Sequence, residues 1–204
     1  APLTFVVSGN YRGQSRKFPM TFSFDKATTR HAFVPRLWAS RRIAALVDAI
    51  RRTGADQGLN PGPLPEKVRE LVDEIVRLST EFGILTEYTA FLAREGTDLS
   101  KKSEILVMAC SNLQTRAMQF RTGWGSVNQS LNNLASISQK SLKYRNDYLD
   151  ERMNAVQITN VQQVHDRAFF LKGNCWIDSR VVDSEPKPDQ VRTVEFLSED
   201  FNAL

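Results

Sequence analysis

Apolar residues recur at helical spacing in two neighbouring stretches of the chain. Residues 35–53 follow an i, i+3, i+4, i+7 pattern, and residues 65–82 repeat it. The apolar positions are Ile43, Leu46, Val47, Ile50, Val68, Leu71, Val72, Ile75 and Leu78. Pro35 suits a first helical turn, whereas the sequence LNPGPLP between the two stretches cannot continue a helix. The pattern predicts two helices that pack as an antiparallel hairpin.

Both ends of the chain carry the patterns of β-strands. Near the N terminus, LTFVVSG and FPMTFSF flank the polar sequence NYRGQSRK and predict an antiparallel pair. From about residue 156 the period is again two, in the runs VQITNVQQV, DRAFFLKGNCWID and VRTVEFLS. Lys172, Gly173 and Asn174 fit the turn of a hairpin, because Gly and Asn tolerate positive φ. Ser198 followed by EDFNAL predicts a short helix start.

The middle of the chain is less regular. ILTEYTAFL, over residues 84–92, lacks helical spacing and predicts extended or irregular structure, and a third helix is predicted over 99–120. TGWGS at 122–126 predicts a flexible linker, and a polar fourth helix over 126–152 follows. Its Asn, Ser and Gln residues lower helix propensity, so it is predicted to need a partner surface or to stay mobile. Its imperfect apolar stripe comprises Val127, Leu131, Leu134, Ile137 or Ser138, Leu142 and Tyr148.

These elements predict an α+β fold. N-terminal β-strands are followed by a central helical hairpin, further helices and a C-terminal antiparallel β meander. The predicted segments are 1–98 (β-hairpin plus helical hairpin), 99–152 (helical) and 153–204 (meander), or the whole is one compact domain. Because the chain starts directly in a strand pattern, it is interpreted as a piece of a longer protein. The terminal strands are predicted to carry an edge that pairs with each other, with a missing partner or with another copy of the chain.

Charge distribution adds one candidate site. The chain has 204 residues and a net charge of +4, which is too mild to indicate a nucleic-acid-binding protein. Several arginines nevertheless cluster along the first helix, and they predict a positive outer face. Such a face either pairs with acidic residues of the second helix or binds a polyanion such as an acidic polysaccharide. The candidate anion-binding residues are Arg36, Arg41, Arg42, Arg51 and Arg52.

The sequence contains no recognisable catalytic or metal-binding motif. His31 and His165 are the only histidines, and neither has a carboxylate or cysteine at ligand-like spacing. GxSxG, HExxH and a phosphate-binding loop are absent, and no apolar run approaches the roughly 20 residues that cross a bilayer. The chain is therefore predicted to be no enzyme and to use no metal or cofactor. An enzyme assembled from distant residues remains an alternative, which a pocket with a perturbed carboxylate or a His165–acid pair would favour.

Residues 33–92 are the most specific part of the sequence. FVPRLWASRRIAALVDAIRRTG, ELVDEIVRLSTEFG and ILTEYTAFL closely resemble the segment that follows the von Willebrand factor type A domain in proteins of the inter-alpha-trypsin inhibitor heavy chain type. The bacterial relatives, which also carry a vault/inter-alpha-trypsin (VIT) domain, are the most similar. VEFLSEDFNAL fits the family more loosely. Together with the apolar stripes, this resemblance places Trp38 and the Tyr88/Phe91 region in the core next to the helical hairpin.

The resemblance also implies a function class. In heavy chains this region is structural and contributes to composite domains built from separate parts of the chain. The threonines and aromatic residue of Thr86-Glu87-Tyr88-Thr89 match the family pattern and are interpreted as packing and hydrogen-bonding positions. The family's DxSxS metal loop is absent, as is the processing site for covalent glycan transfer, so neither activity is carried over. An exported parent is implied, and with it an extracytoplasmic location in the cell envelope or outside the cell.

In an exported parent, Cys110 and Cys175 either form one disulfide or are two small buried hydrophobic residues. The sequence thus favours a non-catalytic structural, protein-interaction or adhesion module of an exported VIT and von Willebrand type A domain protein. Its expected partners are other domains of the parent or another protein, and a homo-oligomer is a further option. The alternatives are a polyanion-binding module that uses the arginine-rich helix and an enzyme whose site the sequence does not reveal.

Overall fold

The computed structural model describes residues 2–26, 28, 30–31, 33–57, 64–143, 145–164 and 167–182. Two compact units divide the chain, residues 1–32 and residues 33–204. This boundary differs from the three segments expected from the sequence. The predicted last strand and the helix start at Ser198 lie outside the described residues, as does His165.

The first unit is a long β-hairpin. Strands β1 (Leu3–Tyr11) and β2 (Gln14–Phe22) pair antiparallel along their whole length, and a 3-10 turn at Phe24–Lys26 follows them. The two residues of the connecting turn, Arg12 and Gly13, both have positive φ, 50° and 77°. That combination matches the right-handed twist of the flanking strands and fixes their register. The predicted N-terminal strand pair is confirmed.

The second unit combines helices and short strands. Its described α-helices are α1 (Phe33–Gln57), α2 (Glu66–Phe82), α3 (Lys102–Asn112) and α4 (Trp124–Ile137). A 3-10 turn occupies Ala90–Ala93, and a π-helical segment, Leu113–Gln119, continues α3. Its described strands are β3 (Asn146–Leu149), β4 (Ala155–Ile158), β5 (Val161–Val164), β6 (Arg167–Lys172) and β7 (Cys175–Asp178).

All described strand pairs are antiparallel. Strands β3 and β4 form a two-stranded sheet, and β5, β6 and β7 form a meander whose last turn contains Gly173 and Asn174. The α+β fold class and the C-terminal antiparallel sheet are confirmed. Glycine is required at the end of α2, because Gly83 has a φ of 62° and an added Cβ would lie 2.8 Å from the Ala168 side chain of β6.

The core of the second unit lies where α1, α2, α3 and the meander meet. The predicted stripes of α1 and α2 point into it, and Leu71 alone among them is only half-buried. Leu92, Leu113 and Phe170 are fully buried beside them. Tyr88 and Phe91 are buried as the sequence predicts, but Trp38 is 52% exposed and lies outside the core. The prediction that Trp38 lies in this core was wrong, because Trp38 lies on the outer face of the α1 turn that buries Ala39.

The predicted fourth helix over 126–152 was wrong in its second half. Helix α4 ends at Ile137, and residues 146–149 form strand β3 instead. The side chain of Asn146 accepts from the Leu85 N–H and donates to the Gly83 carbonyl, each at 2.9 Å, which fixes the start of the strand. These contacts come from residues more than 60 positions away, and they override the weak local preference for helix.

Candidate functional site

The five arginines predicted to bind anions do not share one environment. Arg36 is 3% exposed, and its guanidinium donates to the Lys143 carbonyl at 2.9 Å and to the side chain of Gln163. It therefore fastens the start of α1 to the loop before β3 and to strand β5. An anion would have to displace these internal acceptors to reach it.

Two further arginines tie α1 to α4 and to the residues that follow it. Arg41 donates to the Gln139 carbonyl at 2.8 Å, and Arg51 donates to the Ser130 hydroxyl at 3.1 Å. Both contacts are exposed, so they stabilise by a modest amount. They nevertheless direct the two guanidinium groups along the protein surface.

The remaining two arginines lie close to acidic residues. Arg52 pairs with Asp48 at 2.6 Å within α1. The hydrogen bond from Arg77 lowers the pKa of Glu74 on α2, and the charge of Arg42 adds to that effect. Both acidic neighbours reduce the net positive charge of the α1 face. Polyanion binding by these arginines stays a prediction.

The Thr86–Thr89 segment forms a buried turn. The Thr86 N–H donates to Thr89 Oγ1 at 3.0 Å, and the Ser79 hydroxyl donates to the same oxygen at 3.3 Å. Glu87, Tyr88 and Thr89 are all buried. The turn therefore faces the interior of the second unit, where each polar group needs an internal partner.

A chain of hydrogen bonds connects this turn to the π-helical segment and to α4. The Tyr88 hydroxyl donates to Gln129 Oε1 at 3.0 Å, and Gln129 Nε2 donates to the Arg116 carbonyl at 2.9 Å. Arg116 in turn donates to the Glu87 carbonyl at 3.0 Å, and Asn112 donates to the Tyr88 carbonyl at 3.1 Å. This network joins the turn to α3, the π-helical segment and α4, mostly through side-chain contacts with backbone atoms, and it fixes the backbone that carries the Glu87 carboxyl.

Glu87 lines a cleft between α4 and the β3–β4 pair. It is 6% exposed, and burial raises the pKa of its carboxyl, while a hydrogen bond from Asn132 and the charge of Arg116 oppose the rise. The cleft has a volume of about 160 Å³, and its other walls include Leu131, Ala135, Lys143 and Tyr148. A carboxyl in this position is a hydrogen-bond donor when protonated, and its burial and raised pKa make it the candidate functional group among the described residues of the cleft.

Helix α4 buries polar side chains and exposes apolar ones. Asn128 and Asn132 each donate to the Leu149 carbonyl at 2.9 Å, and the Leu149 N–H returns a bond to Asn132 Oδ1 at 2.8 Å. These amides attach the helix to the end of strand β3. The opposite side carries apolar residues that are 41% to 70% exposed, and we term them the α4 stripe: Trp124, Val127, Leu131, Leu134 and Ile137.

The β1–β2 hairpin also exposes an apolar surface. Its register places seven large apolar residues of the two strands on one face, and these seven are 43% to 57% exposed. We term this set the apolar hairpin face: Leu3, Phe5, Val7, Tyr11, Phe18, Met20 and Phe22. The other face is mostly polar, and there Thr4 and Thr21 share a hydrogen bond at 3.0 Å.

Metal and thiol chemistry has little support in the described ranges. Within them, no three His, Cys, Asp or Glu side chains come together as a metal site, and no helix has the length and apolarity needed to cross a membrane. Cys110 and Cys175 are free thiols, so the structure does not contain the disulfide alternative. Cys110 is half-buried, which raises the pKa of its thiol, whereas Cys175 is exposed and is therefore not the buried hydrophobic residue of the other alternative.

Comparison of the chain with known protein families, with curated proteins and with solved structures finds no match. The candidate features therefore stand on geometry alone.

Sequence reasoning missed two of these features. It assigned Glu87 a packing role, because the residues that enclose the carboxyl come from segments 29 to 45 positions further along the chain. For α4 it predicted a partner surface or mobility, but not that the helix buries its amides and exposes the whole apolar stripe. One signal was available: residues 124–138 contain no charged residue, although a helix with a polar solvent-facing side normally carries several.

Proposed function

We propose that this chain is a non-catalytic structural and protein-interaction module of an exported protein that also carries VIT and von Willebrand type A domains. The apolar hairpin face is the observation that carries the proposal. A two-stranded hairpin is marginally stable in water by itself, and one with seven large apolar side chains on one face needs a surface to cover them.

The occupant of this face is a β-sheet from another domain of the same polypeptide. The seven side chains are about half exposed and together present roughly 700 Å² of accessible surface, which is below the roughly 800 Å² that each partner contributes to a standard free-standing interface. A tethered neighbour needs less area, because the linker supplies a high effective concentration. The resemblance of residues 33–92 to the region after a type A domain, which contributes to composite domains, supports the same occupant.

Hydrogen exchange of the natural full-length protein and of the 204-residue chain tests this proposal. We expect amides of residues 3–22 to exchange quickly in the isolated chain and at least about tenfold more slowly in the full-length protein, where the covered hairpin opens less often. A Phe5→Ser, Met20→Ser variant of the full-length protein should lose this protection. The matched control is Val6→Ser, which places the same polar group on the opposite face of β1.

Equal exchange of residues 3–22 in the two proteins would contradict the proposal. So would protection that survives Phe5→Ser, Met20→Ser but disappears in Val6→Ser, because the covered face would then be the other one.

A small-molecule-binding or acid–base catalytic function is a second candidate, and the Glu87 cleft favours it. The cleft combines a carboxyl of raised pKa with the Asn132 amide and with apolar walls, which together would suit a small polar ligand. Asp147, which also lines the cleft, pairs with Lys143 at 2.9 Å, which leaves Glu87 as the candidate acid. NMR titration with methylammonium and with acetamide tests the cleft. Shifts of Asn132 and Ala135 that disappear in Glu87→Gln would establish binding, and no shift with either probe would remove this candidate.

A further inference from the structure

The α4 stripe is continuous along the whole helix. Its members lie three, four, three and three residues apart, so they follow one side of the helix over four turns. All five are at least 41% exposed, and Trp124 is 70% exposed. The amides on the opposite side bind the Leu149 backbone, so the stripe cannot rotate inward without breaking those hydrogen bonds. The exposure is therefore fixed by the fold.

The chemistry around the stripe suits a second copy of the same helix. Helix α4 has no Asp, Glu, Lys or Arg, and its other exposed positions include Ser130. Two such helices bring no charged side chain of their own into the contact, although the Arg51 guanidinium, which donates to Ser130 at 3.1 Å, lies beside it. Buried unpaired charge is the main energetic obstacle to self-association through one repeated surface, so Arg51 has to keep this hydrogen bond or its access to water in the dimer. The composition is that of an interface centre, which is depleted in charged residues and enriched in aromatic ones.

The area of the stripe also fits a pair of copies. Trp124 presents on the order of 150 Å² of apolar surface, and the five side chains together present roughly 500 Å². Two copies would bury about 1,000 Å² in total, which is at the lower limit for a specific interface and corresponds to a weak, reversible dimer. A patch of this size is at the upper end of what single soluble chains leave exposed.

We propose that two copies of this chain associate through their α4 stripes across a two-fold axis. Leu131 is the middle residue of the stripe, so it lies next to the axis and opposite Leu131 of the second copy. This inference does not depend on the function proposed for the hairpin, since it uses a different surface on a different unit.

Sedimentation equilibrium tests the dimer. It is done on a Phe5→Ser, Met20→Ser chain, because these substitutions reduce association through the apolar hairpin face. We expect a reversible dimer, whose dissociation constant increases on the order of 100-fold in Leu131→Glu because like charges would meet at the axis. Val107→Glu is the matched control, since Val107 on α3 is 63% exposed and lies outside the stripe. It should leave the dissociation constant unchanged.

A charge-pairing experiment identifies the partner as a second copy. Leu131→Glu and Leu131→Lys chains should each be monomeric, and mixing them should restore a dimer that contains one chain of each kind. Failure of the mixture to associate, while both variants keep the native circular dichroism spectrum, would overturn the two-fold arrangement.

Leu134→Glu provides a second variant in case the Leu131 substitutions prevent folding, because Leu134 is 60% exposed. It should also abolish the dimer. A monomeric background chain at all concentrations up to about 1 mM would overturn the proposal and indicate a different occupant for the stripe. An equal increase of the dimer dissociation constant in Val107→Glu and Leu134→Glu would also overturn the proposal.

Discussion

Helices α2 and α4 lie in the same unit and have opposite arrangements of polar and apolar residues. Helix α2 buries Val68, Val72, Ile75 and Leu78, and it exposes charged residues such as Arg77, which bridges Glu74 and Glu81. Helix α4 buries Asn128 and Gln129 and exposes its stripe. The first is held by removal of apolar surface from water, and the second by a few directional hydrogen bonds.

This difference indicates which part of the second unit is most stable and which part opens first. Full burial of one aliphatic side chain contributes about 1.5–3 kcal/mol, whereas one net hydrogen bond contributes about 0.5–1.5 kcal/mol. Helix α4 therefore depends on fewer and weaker attachments than α2 does. We expect local opening of the second unit to begin at α4 and to spare the α1–α2 pair.

The largest expected effect comes from truncating an apolar side chain on each helix. Ile75→Ala removes a fully buried side chain and should lower the free energy of unfolding by about 2–5 kcal/mol. Leu134→Ala removes an exposed one and should change it by less than about 0.5 kcal/mol. Urea denaturation, at concentrations where the chain is monomeric, measures both. Similar losses of unfolding free energy in the two variants would contradict the proposed difference between α2 and α4.

Glycine substitutions give the next largest effect. A Cβ at Gly54 of α1 would lie 2.7 Å from Met118 Cα, so Gly54→Ala should destabilise by about 1–3 kcal/mol despite its better helix propensity. A Cβ at Gly125 of α4 would meet only Phe120 Cβ at 3.9 Å, and Gly125→Ala should stabilise by up to about 1 kcal/mol. Thermal unfolding of the two variants decides the signs. A stabilising Gly54→Ala would show that the π-helical segment can move away from α1.

Loss of the polar attachments should affect α4 selectively. Tyr88→Phe leaves Gln129 Oε1 without its hydrogen-bond donor and should cost about 1–3 kcal/mol. Asn132→Ala removes two bonds to Leu149 and should have an effect in the same range. Hydrogen exchange of the α4 amides should accelerate in both variants, while exchange in α2 stays close to that of the unmodified chain. Equal acceleration in both helices would mean that the unit opens only as a whole.

The smallest expected effect is a pH dependence from Glu87. Because burial raises the pKa of this carboxyl, the folded chain binds more protons than the unfolded chain between the ordinary glutamate pKa and the raised one. The stability that the protonated carboxyl contributes is fully present below this window and is lost as the pH rises through it. Glu87→Gln should therefore gain stability relative to the unmodified chain as the pH increases through this window.

Urea denaturation across that range measures the Glu87 effect, and Glu70→Gln on α2 reports the general effect of removing one carboxylate. A difference between Glu87→Gln and the unmodified chain that stays constant with pH would contradict the raised pKa.

Elements with strong local patterns could be predicted from the sequence. The α1 and α2 stripes, the N-terminal strand pair and the turn at Gly173-Asn174 all depend on residues close together in the chain, so the pattern predicted them correctly. The end of α4 depends on Asn146 and Leu149, whose partners are 17 to 63 positions away. Trp38 illustrates a further limit, because an apolar residue in a helix need not lie on its buried face.

The candidate sites were less predictable than the fold. The sequence drew attention to arginines, yet Arg36 is buried by acceptors more than 100 positions away. It predicted an edge with a missing partner for the terminal strands and a partner surface or mobility for the fourth helix, but not which side chains of these elements are exposed. Whether such a set is covered depends on tertiary or quaternary contacts, which residue spacing does not encode.

The tight turn at Arg12-Gly13 sets an order of events during synthesis. A hairpin with such local pairing closes within roughly 1–10 μs, long before the second unit can form. Arg36 binds Gln163, which leaves the ribosome 127 residues later, an interval of roughly 6–25 s at ordinary elongation rates. During that time the apolar residues of the hairpin are exposed on the nascent chain, and exposed apolar surface of this kind favours aggregation until it is covered. The basic side chains of Arg12, Arg16 and Lys17 around its tip oppose contact between neighbouring nascent chains through like-charge repulsion.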